Sequence, residues 1–379
     1  MKIKKYAGKI IPIIYLSCCL VIALTPNTHK EDKSITERKN HPETQLKYAE
    51  EDELSVYEDQ LEDAVWKLPL EHDGITSIIV MKDGKVYSEH YYNGAEQNSL
   101  LEVHSCTKAV IALCTGIAID QGFIRSEKES YINLFNNLEI PSVSKGMENV
   151  TIENLLSMSS GINWVKYSNS FWTKIKIIKN GLSYGLNLIP TAPVIHEPGS
   201  YFFYDSNESR SLLAMVAYAS GLSDIEFAKK YLFDKLEIYD FIWPYNDSGI
   251  LPGSKDLFLS SKDLAKIGQL ILDKGNYNGQ QIVSEQWIEK MLTPVMFSVP
   301  CEDIQPKDKV NYSYYLWNTN YNGHEINFAY GKGGQYIFLV PDMNICLVTS
   351  AIDKVRSDSF REIIYQVIDV FSEEGADYE

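Results

Sequence analysis

The reading of the chain turns on residues 105–116, Ser105-Cys106-Thr107-Lys108-Ala109-Val110-Ile111-Ala112-Leu113-Cys114-Thr115-Gly116. The apolar run after Lys108 leaves almost no polar face, and Gly122 supplies a stop. A helix over about 105–121, buried at the centre of a domain, is therefore expected. Positions i and i+3 share a helix face, which makes the Ser105 hydroxyl and the Lys108 amine neighbours. A serine in a first turn lies in the positive field of the helix N-terminus, which favours negative charge developing on its oxygen. The same field, with burial, depresses the lysine pKa and makes the amine usable as a base. Spacing alone is weak, because Ser142-Val143-Ser144-Lys145 repeats it. That copy lies between Pro141 and Gly146 and opens no helix, so context selects Ser105 and Lys108.

Two further segments extend this pair. Tyr204-Asp205-Ser206 follows His196-Glu197-Pro198-Gly199 and stands just before a helical pattern at about 208–220. A tyrosine on a turn facing Ser105 can relay protons between nucleophile and leaving group if nearby lysines lower its pKa. The rival Tyr167-Ser168-Asn169 has no helix behind it. Lys332-Gly333-Gly334-Gln335 heads a C-terminal strand. A lysine there suits a substrate carboxylate or the tuning of the tyrosine, and the glycines let a substrate backbone lie close. The backbone N–H groups of Gln335 and Ser105 are the candidates for an oxyanion hole. One decoy competes. Gly181-Leu182-Ser183-Tyr184-Gly185 fits the Gly-x-Ser-x-Gly elbow of another hydrolase class, with His324 as a later partner. Such an elbow must follow a buried strand and open a helix. The lysines before it, and Asn187 and Pro190 after it, speak against that.

Around these motifs the chain alternates strand and helix signals. A helix is expected at 54–66, and Ile75–Val80 and Val86–Tyr92 read as a hairpin closed by Asp83-Gly84. Thr151–Ser160 reads as a helix stopped at Gly161, and 162–200 as irregular and aromatic. Helices follow at about 208–220, 224–232, 261–273 and 285–292. Strands at Gln335–Val340 and Ile345–Ala351 flank the turn Pro341-Asp342-Met343-Asn344, and a last helix covers 358–371. This pattern predicts an α+β fold: an antiparallel sheet formed by both termini and flanked by helices, with a mainly helical lobe inserted over about 122–310. The site is expected in the cleft between the lobes. Trp164, Phe171 and Trp172 are candidates for its lining, while His104, Glu197 and His324 read as capping, turn and solvated residues.

The ordered set Ser105-x-x-Lys108, Tyr204-x-Ser206, Lys332-x-Gly334 resembles the serine β-lactamase and penicillin-binding-protein superfamily. It is most similar to the class C-like branch that includes esterases and the 6-aminohexanoate-dimer hydrolase. Thr151-Ile152-Glu153-Asn154-Leu155-Leu156-Ser157-Met158-Ser159-Ser160-Gly161 resembles that branch's helix before the tyrosine motif. Pro198-Gly199 before Tyr204, the late segment Ile282–Ile288, and Gly333–Ile337 with Pro341-Asp342 extend the likeness over about residues 70–370. The resemblance implies a β-lactamase/transpeptidase-like fold and an acyl-enzyme mechanism. In it Ser105 attacks, Lys108 and Tyr204 manage protons, and water releases the acyl group. Ser206 stands where β-lactamases usually carry asparagine, and Gly333 where their Lys-Thr-Gly carries threonine. Both departures favour an esterase or small-amide hydrolase over a β-lactamase or D-Ala-D-Ala carboxypeptidase. A catalytically silent penicillin-binding sensor is the non-enzymatic alternative, disfavoured because Ser105, Lys108 and Tyr204 are all retained.

The rest bounds the setting. Residues 1–24 hold Lys2, Lys4, Lys5 and Lys9 and then an apolar run from Ile10 to Leu24. That suits an export signal better than a full membrane span, which needs about 20 residues. Leu16-Ser17-Cys18-Cys19 loosely resembles a lipoprotein cleavage box, and an uncleaved anchor is the remaining alternative. An exported, periplasmic or envelope-attached protein is expected, with a polar tether at 25–50, a catalytic domain at 51–372 and an acidic tail at 373–379. The formal net charge of −16 excludes nucleic acid as a natural partner. Cys106 and Cys114 lie roughly 12 Å apart on one helix and cannot pair. No Cys/His spacing matches a zinc site, so neither metal nor cofactor is expected. A monomer acting on a small ester, amide or peptide is the expectation.

Overall fold

Short apolar runs from both ends of the chain, buried on both faces, meet in one sheet. The computed structural model describes residues 46–135, 143–164, 174–179, 182–187, 192–244, 253–301, 310–352 and 358–372. The expected export signal, most of the expected tether, Tyr167-Ser168, Phe171, Trp172 and the acidic tail lie outside the described residues. The first part runs β1 (Lys47–Tyr48), α1 (Glu51–Leu54), α2 (Glu58–Glu71), β2 (Ile75–Lys82), β3 (Lys85–Tyr91), β4 (Leu101–Glu102) and α3 (Thr107–Asp120). The middle holds α4 (Ile152–Leu156), β5 (Lys174–Lys179), β6 (Leu182–Asn187), α5 (Ser206–Ser220), α6 (Asp224–Ala228) and β7 (Phe258–Leu259). Next come α7 (Ser261–Leu272), β8 (Asn276–Tyr277), β9 (Gln280–Gln281) and α8 (Glu285–Leu292). The chain closes with β10 (Met296–Val299), β11 (Val310–Tyr312), β12 (Trp317–Tyr321), β13 (His324–Gly331), β14 (Gln335–Val340), β15 (Ile345–Ala351) and α9 (Asp358–Ser372).

The main sheet has the order β1-β3-β2-β15-β14-β13-β12-β11-β10. Its centre joins the termini, with β15 antiparallel to β2 and Val348 opposite Ile79. The β2–β3 turn places Asp83 and Gly84 at φ of 52° and 74°, the left-handed pair that a two-residue hairpin requires. One face of the sheet receives α7. A Cβ on Gly268 would lie 2.4 Å from Cys346 Sγ and 2.9 Å from Ile337, so only glycine permits this approach. The other face carries α2 and α9, where Phe371 packs edge-on to Tyr87. Helix α3 is buried from Thr107 to Ala118, as its apolar surface demands. Among the described residues no helix is long and apolar enough to cross a membrane.

The mixed α+β architecture and the terminal hairpins follow the sequence expectation, but several details differ. The helix expected at 54–66 is α2, which starts at Glu58 and runs to Glu71. Residues 174–187, expected to be irregular, contain the β5–β6 hairpin. The sheet also resumes at Met296, inside the stretch assigned to the helical lobe. Strands β11–β13 escape a sequence reading because asparagines, poor strand formers, alternate with their aromatics. Residues 46–50, assigned to the tether, supply β1, which pairs parallel with β3 and buries Leu46 and Ala49.

Candidate active site

The candidate nucleophile sits at a junction held from both sides. Val103 donates its N–H to Leu257 O at 2.9 Å, continuing the short β4–β7 pairing. His104 then takes φ of 45°, and a 3-10 turn over His104–Cys106 leads into α3. Ser105 thus lies in that turn, just ahead of the α-helix rather than within its first turn. Thr107 Oγ1 closes the turn on His104 O at 2.6 Å. One turn later the Lys108 amine donates to Ser105 Oγ at 2.9 Å. His104 Nδ1 instead faces Glu102 Oε1 at 3.1 Å, in keeping with a local role.

The second motif arrives on an extended segment. Gly199 adopts φ of 85° and donates to Ser159 O, and Phe203 donates to Met158 O at 2.8 Å. Phe202 then packs edge-on to Tyr312 and Trp317, while the Tyr204 ring stacks on Trp317 with centroids 5.7 Å apart. Asp205 caps α5 by accepting the Asn207 N–H, so Ser206 opens that helix. This brings Tyr204 and Ser206 to Lys108. The amine lies 4.9 Å from the Tyr204 ring centroid and 3.5 Å from Ser206 Oγ, and it also donates to Ser254 O at 3.4 Å.

Lys108 is 1 % exposed, and its hydrogen-bond partners are two hydroxyls and a carbonyl. Burial without a paired carboxylate penalises the ammonium and lowers its pKa from 10.5 to about 7; nearby Asp205 opposes the shift and Arg210 adds to it. Burial raises the Asp205 carboxyl, though its bonds from Asn207 pull back. Burial also pushes the Cys106 thiol far up, so it stays protonated, with Sγ 3.4 Å from Gln335 O.

The third motif is placed differently. Lys332-Gly333-Gly334 forms the tip between β13 and β14, with Gly333 and Gly334 at φ of 96° and 105°. Lys332 is exposed and makes no hydrogen bond to Ser105, Lys108 or Tyr204. Gln335 uses its side chain on the backbone of Ala351, at 2.7 and 3.1 Å. The sheet meets the turn of the candidate nucleophile at Gly331 as well as at the Gln335 carbonyl. A Cβ on Gly331 would lie 2.5 Å from Val103 O. Sequence reasoning missed this residue, although a glycine ending an apolar strand is a sign of close backbone approach. Ser254 and Trp317 were missed as well, and no local signal marks either.

Other expectations resolve plainly. Ser183 lies within β6, opposite Ile178, so no helix opens behind it. His324 begins β13, at the opposite end from Gly331, and pairs with Asp342 at 2.7 Å. Trp164 is buried and donates to Glu208 Oε1 at 3.2 Å, which makes it packing rather than open cleft lining. Glu197 is a turn residue that accepts the Ser200 N–H.

The profile of the Beta-lactamase family matches residues 74–369. The chain belongs to that family. Its members are serine hydrolases, and this chain is an enzyme of that kind. Solved structures share the fold at low identity. A Bacillus anthracis protein described as a 6-aminohexanoate-dimer hydrolase is 18 % identical, with a TM-score of 0.63 and 80 % of each chain covered. An octameric penicillin-binding protein homologue from Pyrococcus abyssi is 21 % identical, with a TM-score of 0.63, covering 83 % of this chain and 77 % of that one. EstCE1, a hydrolase with promiscuous acyltransferase activity, is 12 % identical, with a TM-score of 0.64, covering 84 % and 98 %. No curated protein matches the chain significantly.

Proposed function

We propose that this family member is an exported hydrolase of ester or small-amide bonds that works through an acyl-enzyme on Ser105. One observation carries the reading: a lysine amine buried among neutral partners, 2.9 Å from the serine hydroxyl. With its pKa near 7, Lys108 is substantially neutral at physiological pH and accepts the Ser105 proton as Oγ adds to the substrate carbonyl. The tetrahedral oxyanion collapses, the bond to the leaving group breaks, and the proton on Lys108 passes to that group. Tyr204, against the amine and backed by Trp317, assists this transfer. Water then attacks the Ser105 ester and gives its proton to Lys108; as the bond to Oγ breaks and the acid leaves, Lys108 returns that proton to Ser105. The backbone at Gln335 and Ser105 is the proposed oxyanion site, with Cys106 bonded to Gln335 O between them. Lys332, Gly333 and Gly334 at the neighbouring hairpin tip are assigned to the substrate's distal end. Export rests on the basic and apolar character of residues 1–24.

Intact-mass measurement after exposure to p-nitrophenyl esters, β-lactams, D-Ala-D-Ala peptides and linear amide dimers tests this directly. Adducts from the esters or amide dimers, lost in Ser105→Ala and kept in Ser183→Ala, are the expected result. Adducts from β-lactams or D-Ala-D-Ala peptides alone would move the assignment to cell-wall chemistry. No adduct with any of them, or with a fluorophosphonate, would favour the silent binding module.

A further inference from the structure

Strands β11, β12 and β13 carry two in-register rows. Tyr312, Trp317 and Phe328 are cross-strand neighbours, and Tyr204 packs on the first two. One position along each strand stand Asn311, Asn318 and Asn327, again direct neighbours. Successive side chains point to opposite faces, so the asparagine row lies behind the aromatic one. On that face opens a pocket of about 330 Å³, to which Asn320 and Glu325 also contribute. This volume falls at the lower end of the range for small-ligand sites, about 300–1,000 Å³.

The amides are committed on one side only. Asn311 Oδ1 accepts the Ser298 N–H at 3.1 Å, Asn320 Oδ1 accepts the Gly323 N–H at 3.2 Å, and Asn327 Oδ1 accepts from Asn318 Nδ2. Among the described residues, the NH₂ groups of Asn311, Asn320 and Asn327 have no hydrogen-bond acceptor. Asn318 Oδ1 is buried without a partner, on a residue 5 % exposed. Leaving the buried Asn318 carbonyl unsatisfied costs about 1–3 kcal/mol, whereas the other three amides keep NH₂ groups for a ligand in the pocket. The pocket therefore offers several NH₂ donors and one acceptor, the Glu325 carboxylate. Among the described residues no lysine or arginine lines it, which disfavours a phosphate or sulfate. Three of the four amide carbonyls are already used, which disfavours a cation. Hydroxyl groups, each both donor and acceptor, match what remains.

We propose that this pocket binds an uncharged polyhydroxyl ligand, a saccharide or sugar alcohol, on the face of the sheet opposite the Tyr204 platform. The proposal is independent of the hydrolase reading. Saturation-transfer NMR on the full chain with glucose, N-acetylglucosamine and mannitol tests it. Saturable transfer to at least one probe is expected. It should weaken at least tenfold in Asn320→Ala/Glu325→Ala, whose two positions are exposed at the rim, with an unchanged unfolding temperature and unchanged fluorophosphonate labelling. The half-buried variant Asn311→Leu provides a second check and should behave alike. No transfer to any probe, transfer undiminished in both variants, or loss of transfer in Tyr204→Ala alone would overturn the proposal, the last by placing the sugar in the cleft.

Discussion

Replacing Lys108 and acidifying the solution remove the same entity, a neutral amine beside Ser105. At pH 7, with the pKa lowered to about 7, roughly half of the molecules carry that amine uncharged. At the ordinary value of 10.5, only about one in three thousand would. Burial therefore raises the population of competent base by about three orders of magnitude. Acylation rates, measured by quenched mixing and intact-mass detection with a p-nitrophenyl ester, should climb about tenfold per pH unit below the midpoint and level off above it. Lys108→Ala should lower the plateau by about 10²–10⁴-fold, the span of a positioned general base, with an unaltered circular-dichroism spectrum. A profile flat down to about pH 4, or near-normal acylation in Lys108→Ala, would refute the assignment.

Three further outcomes follow from the same packing. Folded Lys108 holds its proton more weakly than the unfolded chain, so this group's contribution to stability rises with pH between about 7 and 10.5. Lys108→Met should accordingly be more stable than the parent at pH 6, by about 2–5 kcal/mol, with the gap closing toward pH 10 in thermal melts; a pH-independent gap would contradict the buried-charge argument. Burial raises the pKa of Glu208 well above 4.5, although Ser160 and Trp164 bond to its Oε1 and pull it down. The folded carboxyl binds its proton more tightly than the unfolded chain does, so stability should fall as pH rises above 4.5, and Glu208→Gln should flatten that loss in urea midpoints. Gly331→Ala sets a Cβ against Val103 O at 2.5 Å, two residues before the nucleophile. It should cost about 1–3 kcal/mol and slow fluorophosphonate labelling at least tenfold; unchanged labelling would show that the strand end does not position Ser105.

Much of the site was legible because its signals are local. Ser105 and Lys108 are three residues apart, and the buried helix behind them is written in its own apolar letters. Tyr204 and Ser206 announce themselves by standing at a helix start, where Asp205 caps. Strands β2, β3, β14 and β15 were legible for a similar reason, since each is a short apolar run bounded by turn residues. Strands β11–β13 were not, because asparagines on one face dilute the alternation of aromatics on the other.

By itself the sequence determined which residues could carry the chemistry, where the central helix lies and that both termini build one sheet. Only the tertiary structure decided what surrounds the lysine amine: the Ser206 hydroxyl, the Ser254 carbonyl and the Tyr204 ring, from segments about 100 and 150 residues away in the chain. It also decided that Gly331, rather than Lys332, abuts the nucleophile turn. The reason is physical. Helical spacing and turn chemistry are set by a few neighbouring dihedrals, whereas desolvation of an ammonium depends on every atom that excludes water from it.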